Sequence, residues 1–284
     1  MRMIKKILFP TDFSATAQNA FRHCLLLADK YEADVEILHV IFPEYEALDL
    51  PVMAAQATKE KAEAAGVVMK TFVETGLAQV QAAHQLGHVP NVRSDIEIGT
   101  PGKIICETAR RNNADLIVMA TKGEHNALER FFGSVATAVI AQAACNVWIV
   151  PEEASFERID IIAYASDLKE ADPYHIWEVG KLLEPFSPII HCVHVNVKGS
   201  VEGAIDFASL GAFFEHHAPS LQINFHPLAG QSVIEALEEF IDTYEVDMLV
   251  MYAPQHNWFE RVFYKSHTRR MALEAHVPLL IIKK

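Results

Sequence analysis

Short, mostly apolar runs alternate with longer helical stretches along the first half of the chain. Ile4–Phe9, Val35–Val40, Leu116–Met119 and Val147–Val150 have the length and apolar character of strands buried on both faces, the pattern of a parallel sheet. Between them lie Ala15–Lys30, an Ala/Lys/Glu-rich stretch around Ala54–Leu86, Pro101–Asn112 and Ser134–Ala143, which read as helices. Strand and helix in strict alternation mean linked βαβ units with right-handed crossovers. The predicted fold class is α/β, with a doubly wound, mostly parallel five-stranded sheet flanked by helices.

The pattern occurs twice. Ile7-Leu8-Phe9-Pro10-Thr11-Asp12 corresponds to the run Ile161 to Asp167, with Asp12 on Asp167, and His39-Val40 falls on His194-Val195, both at an offset of 155. Later in each half, Ala114 to Met119 lies on Val246 to Met251 and Asn146 to Val150 on Pro278 to Ile282, at an offset of 132. The offsets differ by 23 residues, so the second half is shorter in its middle, between its second and fourth strands, where it has only Val201–His216 for the long helix. Surface drift in helix and loop length is the ordinary explanation, and a lost partner surface is the other. With 284 residues the chain is long enough for two cores. The expected domains are 1–150 and 157–284, joined by the linker Pro151–Phe156.

Charge narrows the partners. The balance of 24 Lys+Arg against 37 Asp+Glu gives −13, which argues against a phosphate-backbone binder that works through clustered cations, so no nucleic acid is expected. The 4 cysteines form no CxxC pair, suggesting neither a disulfide framework nor a thiolate zinc site. The apolar stretch Ile7-Leu8-Phe9 is too short for a signal peptide, and no run approaches the roughly 20 residues of a membrane span. The expectation is a soluble cytoplasmic protein without a membrane partner.

In open α/β sheets ligands bind beyond the carboxyl ends of the strands, where Pro10-Thr11-Asp12, His39-Val40 and Met119-Ala120-Thr121 fall. After the last of these come Gly123 and, past nine further residues, Gly133-Ser134-Val135 at the head of an apolar helix. Glycine admits a close backbone approach, and the free N–H groups and positive dipole end of a helix attract phosphate. Asp12 can accept hydrogen bonds from a sugar or base, or help hold a cation. These residues make a nucleotide-sized site.

Here the sequence resembles the universal stress protein (UspA-like) family in its tandem two-domain form, over nearly the whole chain. ATP-binding members carry G-x2-G-x9-G-[ST] after the fourth strand, and this chain has Ala120-x2-Gly123-x9-Gly133-Ser134. The Pro-Thr-Asp strand end, the Gly99-Thr100-Pro101 turn and Ala114 to Met119 are also similar to the family. The resemblance implies a Rossmann-like, adenine nucleotide alpha hydrolase-like fold. It puts Pro10, Thr11 and Asp12 beside the nucleoside and Val40 against adenine. Met119, Ala120, Gly123, Gly133, Ser134 and Val135 would line the phosphates of ATP, with or without Mg, although Met119 also reads as core. Ala120 departs from the family's first glycine. Its methyl crowds a phosphate or does no harm, depending on the local φ.

In the second half Tyr252 replaces Ala120, Gln255 replaces Gly123 and Lys265 replaces Gly133, leaving only Ser134 matched, by Ser266. No ATP is expected there. Among the 14 histidines, His84 and His88 have i, i+4 spacing without the glutamate of a zinc-protease helix, and suit a solvated helix end. Alternation puts His191 on the opposite face from Cys192 and His194, and scattered surface histidines are the expectation there. Gly99 to Lys103 lacks the G-x4-G-K-[ST] of a phosphate loop and reads as a strand-to-helix turn. No G-x-S-x-G occurs, so a serine hydrolase has no anchor.

The leading reading is a regulatory, stress-response ATP binder with one competent half and no catalytic residue, its nucleotide ordering the Gly123–Gly133 loop for a protein partner. Two others stay open: an ATP-dependent adenylating or slowly ATP-hydrolysing enzyme, and an interaction scaffold without nucleotide whose second half is a partner surface or a metal surface. The resemblance also implies an intramolecular pseudo-dimer through Val147–Val150 and Leu279–Ile282, and leaves a homodimer of whole chains open.

Overall fold

The computed structural model describes residues 4–43, 51–121, 133–154, 158–197, 205–253 and 277–283, with side chains from residue 56 onward in its longest helix. Two compact units divide the chain, Arg2–Glu152 and Glu153–Lys284.

The first unit runs β1 (Lys6–Pro10), α1 (Ala15–Tyr31), β2 (Asp34–Ile41), α2 (Pro51–Ala83), β3 (Val92–Ile98), α3 (Pro101–Arg111), β4 (Leu116–Ala120), α4 (Ser134–Gln142) and β5 (Asn146–Val150). Its strands lie in the order β3-β2-β1-β4-β5, with every pairing parallel. Leu8, Phe9, Ile37, Leu116, Ile117 and Trp148 are fully buried, as strands covered on both faces require. Helix α1 buries Ala17, Ala20, Phe21, Cys24, Leu25 and Ala28, a stripe at spacings of three and four. Ser14 starts it by accepting from Ala17 N at 3.1 Å, and Glu32 ends it in the left-handed region with φ 50°.

Gly99, Thr100 and Pro101 do form a strand-to-helix turn. Gly99 has φ 153°, closed to L side chains, while Thr100 is the N-cap of α3 and Pro101 opens it. Arg110 and Arg111 sit at the negative end of the helix dipole. In the first turn, a Cβ on Gly102 would stand 2.7 Å from the Cβ of Ala138, so the backbone of α3 lies against the Ala138 methyl of α4 there.

The second unit runs β6 (Ile161–Ala165), α5 (Asp172–Leu182), β7 (Ile189–Val197), α6 (Phe207–His217), β8 (Ile223–Gly230), α7 (Val233–Thr243), β9 (Met248–Tyr252) and β10 (Leu279–Ile282). Its order, β8-β7-β6-β9-β10, repeats the first, again parallel throughout. The helix expected before its last strand falls outside the described residues. Helix α2 has 33 residues where α6 has 11, which accounts for nearly all of the 23-residue shortening read from the repeat. Atomic contacts repeat as well. Asp115 Oδ2 accepts from Lys5 N and Lys6 N at 2.9 and 3.0 Å, and Asp247 Oδ2 from Asp160 N and Ile161 N at 2.7 and 2.8 Å. Among the described residues no helix is long and apolar enough to cross a membrane.

Candidate functional site

Each sheet reverses its strand order between the unit's first and fourth strands, β1 and β4 in one and β6 and β9 in the other. Connections leave such a point in opposite directions and open a crevice beyond the strand ends. Pro10 ends β1 there and Thr11 and Asp12 follow it, Val40 is the next to last residue of β2, and Met119 and Ala120 end β4.

The β1 end is a tight turn. Thr11 N donates to Leu38 O at 2.9 Å, and the buried Thr11 hydroxyl accepts from Phe13 N at 3.0 Å. Phe13 takes a left-handed φ of 65°, which costs a β-carbon-bearing residue about 1 kcal/mol or more. Asp12 is exposed, and its Oδ1 accepts from Ser14 N at 3.1 Å and Ser14 Oγ at 2.7 Å, so the carboxylate is aimed by its own turn. The His39 ring lies beneath, stacked on Phe13 with centroids 4.5 Å apart. Its Nδ1 is 2.8 Å from Thr11 O, and since a carbonyl only accepts, Nδ1 carries the proton.

Val40 gains its meaning from register. Leu38 O points toward β1, so by the two-residue period of a strand the N–H and C=O of Val40 point the same way. β1 has already ended, its last register partner being Pro10 opposite Leu38. Ile41 O, on the other side, accepts from Gly99 N at 2.9 Å. Among the described residues no strand is in register with the half-buried Val40 on that side, so it turns a backbone donor and acceptor edge toward the crevice, a shape suited to a planar heterocycle.

Across the switch point, Thr121 N donates to Val150 O at 3.1 Å, and Gly133 N donates to Thr121 O at 2.7 Å, fastening the head of α4 to the end of β4. Gly133 is the N-cap, with no side-chain capping bond, and Ser134 is exposed. A helix start left uncapped by its own side chains presents N–H groups to an anion. Ala120 is an ordinary strand residue paired in register with Val150, and its φ is not positive. No glycine is needed there for backbone reasons. Met119 is buried in the sheet. Gly123 lies outside the described residues.

The second unit repeats the turn and places an aromatic stack at the end of β9. Ser166 N donates to Val193 O at 2.9 Å, Leu168 N to Ser166 Oγ at 2.9 Å, Leu168 has φ 53°, and His194 Nδ1 is 2.9 Å from Ser166 O. Val195, the match for Val40, is buried, and Lys169 pairs with Asp167. Tyr252 stacks on the buried His175 with centroids 3.5 Å apart. Burial, followed by the carboxylates of Glu178, Asp167 and Asp172, raises the Tyr252 phenol above its usual pKa. Three carboxylates thus act on the side chain that stands in place of Ala120. Asp172, buried at the head of α5, accepts from the Ser166 hydroxyl, and burial raises its carboxyl as well. Gln255, Lys265 and Ser266 lie outside the described residues.

The histidines depart from the scattered-surface expectation. His23, His175 and His191 are buried, and His191 Nδ1 lies 2.7 Å from His226 Nε2 within a cluster that includes Phe240 and Tyr244. Among the described residues no three His, Cys, Asp or Glu side chains gather as metal ligands. His84 follows the end of α2 and is exposed. What the sequence reading missed is the His39 contact: His39-Val40 and His194-Val195 stood out as repeat anchors, but nothing in their spacing says that the ring holds a carbonyl.

The sequence matches the model of the Universal stress protein family over residues 3–151 and 225–283. That is well over half of the chain, and the protein belongs to this family. The unmatched stretch between contains β6 to α6, where the turn at Ser166 keeps the geometry of the first half. A universal stress protein of Methanocaldococcus jannaschii is 28% identical over 148 residues, covering 52% of this chain and 82% of the relative. One of Synechocystis is 34% identical over 84 residues, covering 29% of this chain and 78% of its own. The crystal structure of a universal stress protein from Archaeoglobus fulgidus superposes with a TM-score of 0.71 at 17% identity, covering 99% of this chain and 97% of that one. That likeness supports the α/β fold with its tandem units.

Proposed function

We propose that this protein is a regulatory nucleotide binder whose first unit takes one ATP and whose second takes none. The observation that carries the reading is a pairing at the β1/β4 switch point. An open backbone edge at Val40 lies on one side and a glycine-capped helix start at Gly133 on the other. Backbone at Val40 suits an adenine edge, and the turn at Pro10, Thr11 and Asp12 suits a ribose. Gly133, Ser134 and Val135, with Ala120 behind them and Gly123 in the same motif, suit phosphates. Asp12 is the one carboxylate in this set and is what the chain offers to a Mg ion arriving with the phosphates.

Binding is favoured over turnover because the polar groups at the β1 turn are engaged locally. The Thr11 hydroxyl serves Phe13, the Ser14 hydroxyl serves Ala17 and Asp12, and Asp12 Oδ1 is committed to Ser14. No group there is poised as a general base. In this reading the protein acts in the cytoplasm, with nucleotide occupancy as the signal passed to a protein partner.

Equilibrium binding of ATP to the full chain and to Gly133→Lys tests the site, since the second half carries Lys265 at the matching position. The wild type binds, and the variant, checked for folding by circular dichroism, loses about a hundredfold or more in affinity, the scale of a displaced helix-terminus anion site. Equal binding by both, or none by either, contradicts the assignment.

A further inference from the structure

We infer that His39 is a positioning residue for the nucleotide site, and that its role is to hold the Thr11 carbonyl and so aim Asp12. The inference rests on the nucleotide reading of the first unit and adds to it a residue outside the family-like motif. Its basis is a contact made twice. His39 Nδ1 lies 2.8 Å from Thr11 O, and His194 Nδ1 lies 2.9 Å from Ser166 O, at matching places in two units of different sequence.

The two turns share more than the histidine. In each, the N–H of the first turn residue donates to the neighbouring strand, from Thr11 to Leu38 O and from Ser166 to Val193 O, both at 2.9 Å. In each, the hydroxyl of that residue accepts from a left-handed residue two places on, Phe13 or Leu168. A left-handed residue with a β-carbon persists only where its surroundings over-determine it. The histidine supplies the remaining constraint. With Thr11 N, Thr11 Oγ1 and Thr11 O all engaged, the peptide between Thr11 and Asp12 cannot rotate, and the Asp12 carboxylate leaves the strand in one direction.

The tautomer follows from the chemistry. A carbonyl accepts only, so Nδ1 is the nitrogen that carries the donated proton in both His39 and His194. The halves differ in what the turn serves. Phe13 stacks on His39 in the first, where Asp12 accepts from Ser14, and Asp167 is paired with Lys169 in the second. The clasp belongs to the fold, and the first unit puts it to use for a ligand.

Asn and Gln at position 39 separate positioning from mere packing. The amide nitrogen of Asn falls near the place of Nδ1 and restores the donor, while that of Gln reaches about as far as Nε2 and does not, and both lose the ring stack alike. ATP affinity is measured for wild type, His39→Asn, His39→Gln and His194→Gln in the full chain. His39→Asn is expected within about threefold of wild type and His39→Gln about tenfold weaker, the scale of one hydrogen bond. His194→Gln is expected to bind ATP as wild type does. Equal affinities of the Asn and Gln variants, or an equal loss in His194→Gln, overturn the positioning role and leave the nucleotide site standing. Absence of ATP binding by wild type overturns the nucleotide reading, and the positioning role with it. The clasp is then judged separately by nitrogen-15 NMR of the histidines: signals assigned through these variants should show Nδ1–H for His39 and His194, and an Nε2–H tautomer for either refutes it.

Discussion

Left-handed backbone at Phe13 and Leu168 is what turns two otherwise plain strand ends into shaped sites. Neither residue type predicts that conformation, which hydrogen bonds to Thr11 and Ser166 impose, so the turn's location was legible in the Pro-Thr-Asp spelling while its geometry was not. Ala120 is the opposite case. The missing glycine stood out in the motif, yet the residue is regular strand, and the methyl costs nothing in φ. At the same scale the His191–His226 pair makes a pH prediction. Burial, and then the neighbouring His226, lower the His191 pKa, and burial lowers that of His226. On acidification the unfolded chain binds protons first, near its ordinary 6.5, so the pair's stabilisation is complete above that value and is lost as pH falls through the depressed folded values. Hydrogen exchange in β7 and β8 should quicken as pH is lowered from about 6.5 to about 5, after correction for the intrinsic rate. The double substitution His191→Phe with His226→Phe should flatten that profile, and an unchanged profile excludes the pair as its source.

Elements were the most readable level. Every strand and helix expected in the first half is present within a few residues of its expected bounds, because continuous apolar runs, and Ser14 and Thr100 ahead of α1 and α3, are local signals. What pattern alone does not reveal is how closely two elements approach. Gly102 read only as part of a turn, but it is where α3 lies against α4, whose first residues form one wall of the candidate site. Gly102→Val should force the helices apart, destabilising the first unit by roughly 1–3 kcal/mol as overpacked cores do. Because α4 carries Gly133 and Ser134, ATP affinity should fall together with protection of α3 and α4 against exchange. Loss of stability with full ATP affinity would show that the position of α4 is not what makes the phosphate wall.

At the scale of the molecule, one plan has been built twice and used differently. Both units keep the strand order, the paired aspartates Asp115 and Asp247, and the histidine clasp. The second has a shorter middle helix and, at the end of β9, Tyr252 stacked on His175 under the influence of Glu178, Asp167 and Asp172. That asymmetry was half legible. The loss of Ala120 and the two glycines to Tyr252, Gln255 and Lys265 shows in the sequence, whereas the carboxylates that act on Tyr252 come from α5 and the turn before it and do not. The chain's net charge of −13 fits the same picture, since a site that binds phosphate through backbone N–H groups needs no surplus of Lys and Arg. The most direct measurement is the stoichiometry of ATP on the full chain by isothermal titration. One ATP per chain, removed by Gly133→Lys and kept in a Tyr252→Phe variant, is the predicted result. Two per chain, none, or one that survives Gly133→Lys would contradict it.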